Sequence, residues 1–171
     1  MTAWRDRTIE QRNLLNPAFC ATTVWHLARG YRIESTALGV DAAGLPLELA
    51  FLGASLVLRG QTRDQLPRTI ASSLATWVHD HPLERSAVAK GVLVLRDAVR
   101  EALLFGAQHG ALSLDGRHID ANDAYTKKVN AYLRASSDEV RECMRQAMFV
   151  GRWLCKAGAP TTVLALLGVQ A

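Results

Sequence analysis

Apolar residues recur along most of the chain at three-to-four spacing, the pattern of helices with one covered face. The first such run opens at Leu14-Leu15-Asn16-Pro17, where Asn16 suits an N-cap and Pro17 the first helical position. It predicts a helix as far as Arg29 with Phe19, Cys20, Thr23, Val24 and Leu27 inward, stopped by Gly30, and then a connector over Tyr31 to Gly44. Pro46 to Leu58 is apolar on every side, which predicts the most buried element of the fold, closed by Arg59-Gly60. Thr62-x-x-Gln65 has the form of a capping box that Pro67 limits to a short turn. The next helix is expected at about Thr69 to Val78, with Ile70, Leu74, Trp77 and Val78 inward.

Past His79-Asp80-His81-Pro82, Ser86 to His109 reads as the longest helix, with Val88, Val92, Leu95, Val99, Leu103 and Gly106 on one face. Gly110 is placed to end it. Leu112-Ser113-Leu114 alternates before Asp115-Gly116, which predicts a β-hairpin over Ala111 to Ile119. Asp120 or Asn122 can cap a helix through Leu133, Ser136-x-x-Glu139 is a second capping box opening a helix to about Lys156, and Thr161 to Val169 is a short apolar tail. The expected fold is mainly α, a compact helical domain over residues 1–171 with one small β-hairpin, a winged-helix-like arrangement remaining open. It divides into an N-terminal helical half at about 13–80 and a long helix, hairpin and C-terminal helices at about 86–169.

On the last long helix, counting 100° per residue gathers Val140, Met144, Ala147, Gly151 and Leu154 on one side. Arg141, Arg145 and Arg152 line one flank, where they could face phosphates or an acidic partner. Phe149 and Trp153 point away from the core stripe. Two large aromatics there either meet a second layer of the same fold or contact another protein.

Composition narrows the function more than the fold. The 171 residues are 49% hydrophobic and 21% charged with a net charge of +4, and arginine far outnumbers lysine. Arginine is the better fork for phosphates and carboxylates, although a GC-rich genome produces the same bias. No apolar stretch approaches the roughly 18 residues of a membrane span. Met1 to Glu10 carries Arg5, Asp6, Arg7 and Glu10 with no apolar core, so the expected location is the cytoplasm and no membrane contact is foreseen. Cys20, Cys143 and Cys155 show no Cys-x-x-Cys spacing and read as reduced core thiols. His79-x-His81 lacks a third ligand, and His26, His109 and His118 read as capping or surface residues. With no catalytic or nucleotide-binding fingerprint, the expectation is a non-enzyme with neither metal nor cofactor.

Several segments taken together resemble a known family. They are Leu14-Leu15-Asn16-Pro17-Ala18-Phe19, Gly44-Leu45-Pro46-Leu47 leading into Ala50-Phe51-Leu52, and Thr62-Arg63 with Leu66-Pro67 before Thr76-Trp77. Glu101-Ala102-Leu103-Leu104-Phe105-Gly106 and Phe149-Val150-Gly151-Arg152-Trp153-Leu154, before the closing Leu167-Gly168-Val169, complete the set. The chain is similar over nearly its whole length to the middle component of bacterial three-component ABC systems. That resemblance implies a non-catalytic bridging subunit encoded between an effector and an SMC- or Rad50-like ABC ATPase, in antiviral defence against phages and plasmids, with Lamassu as a relative. Such a subunit would dock on the ATPase, help restrain or position the effector, and touch DNA only weakly or indirectly. Phe149, Trp153, Asn16 and Pro17 are the partner-binding candidates, and Arg141, Arg145 and Arg152 the candidates for nucleic acid or an acidic partner.

The alternative is a stand-alone winged-helix DNA-binding regulator, because a long helix followed by a hairpin imitates a recognition helix and wing. Asp97 and Glu101 among Arg96 and Arg100 speak against it, since a recognition helix is usually more basic. A small hydrolase using His79 or His81 lacks a nucleophile in a recognisable setting.

Overall fold

The computed structural model describes residues 15–40 and 44–169; Met1 to Glu10 and Leu14, used above, lie outside them. The described residues form eight α-helices: α1 (Pro17–Ala37), α2 (Leu47–Leu58), α3 (Gly60–Asp64), α4 (Leu74–Asp80), α5 (Pro82–Gln108), α6 (Thr126–Arg134), α7 (Asp138–Lys156) and α8 (Pro160–Leu167). Three short strands, β1 (Leu45–Pro46), β2 (Leu112–Leu114) and β3 (His118–Ala121), pair antiparallel in the order β1-β3-β2. The protein is thus mainly helical with one small hairpin, as its periodicities predict.

α2 is the innermost helix, with Leu49, Leu52 and Leu56 fully buried, matching its uniformly apolar sequence. α1, α5 and α7 pack around it, and one hydrophobic cluster runs from Val24 on α1 to Leu167 on α8. α1 begins as expected, Asn16 Oδ1 accepting from the Ala18 and Phe19 amides at 2.8 and 3.4 Å. It does not stop at Gly30. The helix continues seven residues further, to Ala37, which shortens the predicted connector.

Gly30 instead lies where α1 crosses α7. A Cβ at Gly30 would strike the Met148 carbonyl, and one at Gly151 would strike the Leu27 carbonyl. The two glycines therefore let the backbones approach more closely than any side chain would permit. Glu34, buried on α1, accepts from Arg152 of α7 at 3.0 Å and adds a charged clasp to the same crossing.

The hairpin forms with Leu112 opposite Ala121 and Leu114 opposite Ile119. Asp115 Oδ1 ties its turn by accepting from the Arg117 and His118 amides, and Gly116 adopts φ +93°. β1 was not foreseen: Leu45 pairs with Ile119 and Pro46 with His118, while the Leu47 amide donates to the Arg117 carbonyl. Arg32 fastens the far end to α1 through the Ala121 carbonyl and both Asp123 oxygens.

Four further boundaries move. Thr62 does not cap; it sits buried inside α3, its hydroxyl donating to Glu84 on α5. The helix expected at Thr69 to Val78 is α4, capped by Ser73. α5 starts at Pro82 rather than Ser86, because Pro82 at its first position needs no amide partner. α7 is capped by Ser137, not Ser136: Ser137 accepts from the Val140 amide, whereas the Ser136 hydroxyl donates back to the Tyr132 carbonyl.

Candidate partner-binding site

The entry of α1 opens on a recess of about 300 Å³ lined by Asn16, Phe19, Leu58, Arg63, Tyr132 and Cys143 with their neighbours Glu139 and Val140. Its walls come from α1, the end of α2, α3, α6 and the start of α7, so it depends on the whole fold rather than on one loop. Arg63 lies in the wall with its side chain only 13% exposed. Its Nη1 donates to the Val57 carbonyl at 3.2 Å and its Nη2 to Glu139 at 3.4 Å, while its Nε has no partner. Burial pushes the Cys143 thiol up, against the pull of the adjacent Arg63, so the sulfur remains a protonated wall atom. An apolar recess whose one guanidinium is already paired with Glu139 is suited to an apolar side chain brought by another protein.

Of the sequence-predicted residues, Asn16 lines this recess and Pro17 adjoins it as the half-buried first residue of α1. Phe149 and Trp153 do not lie open to solvent. Trp153 is 1% exposed, its indole Nε1 donating to the Ser72 carbonyl at 2.7 Å and its ring meeting Trp77 edge-on at 5.6 Å. Phe149 stacks beside it at 6.3 Å and is only partly covered. The cause is that α7 is covered on two sides, by α1 and by the segment leading into α4. Trp77 fixes that segment from within by donating to the Gln65 carbonyl at 2.7 Å. Two indole N–H groups thereby satisfy the backbone of a stretch with little regular structure.

The arginine flank exists, but its charges are answered. Arg141 faces Asp138, Arg145 faces Glu142 and Arg152 faces Glu34. Their helical alignment was readable in the sequence, whereas the partners of Arg141 and Arg145 sit three residues upstream at ordinary pairing distance.

Histidine 26 is also corrected: it is buried, edge-on to Trp25 at 5.0 Å, with Nδ1 on the Thr22 carbonyl at 2.8 Å. Burial holds its pKa below the usual value, the Thr22 hydrogen bond partly offsetting this and Arg29 adding to it. Cys20 and Cys143 are buried, Cys155 is half-buried, and none of the three is joined in a disulfide to another described cysteine. Among the described residues no group of three acidic, His or Cys side chains is arranged to hold a metal ion. No described helix is long and apolar enough to cross a membrane.

Sequence reasoning missed Arg63 and Tyr132, which belong to elements far apart in the chain and carry no spacing signal. The family model described as ABC-three component (ABC-3C) system Middle Component 3 matches residues 4–171. No curated protein and no solved structure matches the chain.

Proposed function

From the fact that the chain belongs to the ABC-3C middle-component family, we propose that it is a non-catalytic adaptor that docks on an SMC- or Rad50-like ABC ATPase and restrains or positions an effector. The observation that carries this reading is the extent of the match, which takes in every described element of the fold. The recess beside Asn16 and Pro17 supports it, since it offers apolar walls that a partner's side chain can fill. The setting we assign is cytoplasmic and bacterial, in antiviral defence of the Lamassu type.

DNA contact is indirect in this reading. A duplex-binding surface gains affinity when its unpaired cations displace the counterions condensed on the phosphates, and the three flank arginines already face carboxylates. The test is co-purification of the chain with the ATPase encoded beside it, for the wild type and for Tyr132→Glu at the mouth of the recess. Loss of the ATPase from the variant at unchanged thermal stability supports the adaptor. Equal recovery of the ATPase removes the recess from the interface, and no recovery even with the wild type overturns docking.

A further inference from the structure

The outward side of α5 is unlike any other exposed helix face among the described residues. Leu83, Leu93, Val94 and Leu104 are 83%, 72%, 78% and 64% exposed. At 100° per residue they fall within a sector about 100° wide, opposite the buried Val88, Leu95, Val99 and Ala102. Isolated exposed leucines are ordinary; three leucines and a valine on one side of a single helix form a surface that water covers poorly.

Three pairs of residues on that side also stand in mirror order, while Glu101 on the same side has Ser86 at its mirror position. About the point midway between Leu93 and Val94, Lys90 and Asp97 stand at equal distances on either side, and so do Leu83 and Leu104. This is the pattern that a two-fold axis demands, because an antiparallel pair of identical helices brings each position against its mirror position on the other copy. Leucine then meets leucine at both ends, Leu93 and Val94 meet at the centre, and a cation meets an anion twice between them. Lys90 is exposed, and Asp97 has only a distant approach to Arg96, 3.8 Å, within its own chain.

We infer that the outer face of α5 binds a second copy of this chain, forming an antiparallel two-fold helix pair centred between Leu93 and Val94. The charge pattern selects this occupant over an unrelated apolar helix, which would have no reason to supply Asp and Lys in inverted order. Parallel pairing is disfavoured because Lys90 would face Lys90 and Asp97 would face Asp97. The contact is small, one helix per copy, so it produces a concentration-dependent dimer rather than a permanent one. It leaves the recess beside Asn16 untouched and stands or falls independently of ATPase docking.

The test is sedimentation velocity of the full chain over a concentration series, with circular dichroism as the check on folding. The wild type is expected to move from monomer to dimer. Leu93→Glu with Val94→Glu is expected to stay monomeric at wild-type thermal stability. Lys90→Glu and Asp97→Lys are each expected to weaken association about tenfold by opposing like charges, and the two changes combined to restore it. A wild type that stays monomeric throughout, a dimer indifferent to the glutamates, or a double reversal no better than the single ones overturns the inference.

Discussion

The outward sides of α7 and α5 both carry large apolar side chains, yet they meet different surroundings. On α7 the aromatic pair is roofed by the stretch before α4, with Trp153 sealed against Trp77 and the Ser72 carbonyl. On α5 the leucines and Val94 have no roof among the described residues. A helical wheel assigns one buried face and one wet face, and neither helix obeys it. The difference lies in what the neighbouring chain does: a polar loop whose backbone needs donors folds over α7, whereas nothing among the described residues reaches across α5.

Substitutions can break this contrast, and the largest effect should come from the inner side of α7. Gly151→Leu places a branched side chain where the Leu27 carbonyl already sits, and the expected outcome is loss of the cooperative unfolding transition. Trp153→Ala follows, costing about 3–5 kcal/mol by denaturant titration because it empties a fully buried site and orphans the Ser72 carbonyl. If that variant instead keeps wild-type stability, the roof over α7 is not part of the fold.

Smaller effects sharpen the picture. Arg152→Ala leaves the buried Glu34 without its charged donor, and the expected loss is about 1–3 kcal/mol, since Arg152 itself is partly exposed. His26 gives a pH signature. Its folded pKa lies below the ordinary 6.5, so below that pH the unfolded chain binds more protons than the folded one. Stability contributed by His26 is therefore complete above about pH 6.5 and is lost as pH falls toward the folded pKa. Between about pH 7.5 and about pH 5.5 the wild type should lose more thermal stability than His26→Phe. Last, Leu104→Ser on α5 should shift the stability of the monomer by less than about 0.5 kcal/mol, as expected of a side chain that is mostly exposed.

Much of this architecture is legible in the residues themselves. Asn16-Pro17, the apolar Leu47–Leu58 stretch and Asp115-Gly116 each carry a local physical signal that needs no distant partner. What was not legible depended on such partners. Gly30 looks the same as a helix-stopping glycine because the reason for its missing side chain is the Met148 carbonyl on another helix. Ser136 and Ser137 are chemically equal candidates for one cap, and the backbone path chose between them. β1 is two residues long and contains a proline, so no alternation announces it. Asn16 was found from its cap, but the recess it lines needs Arg63 and Tyr132, which only the packing of α3 and α6 brings to it.

The crossing of α1 and α7 also sets the order in which the protein can be completed during synthesis. Gly30 and Gly151 lie about 120 residues apart, which at a translation rate of about 5–20 residues per second separates their appearance by about 6–24 s. For that interval the side of α1 destined for α7, including Leu27 and the acid Glu34, has no final cover, although α2 and α5 already lie upstream of the missing helix. The nascent chain thus carries an unfinished core until α7 has emerged, and the helix that finishes it is the one that brings Arg152 to neutralise the waiting Glu34.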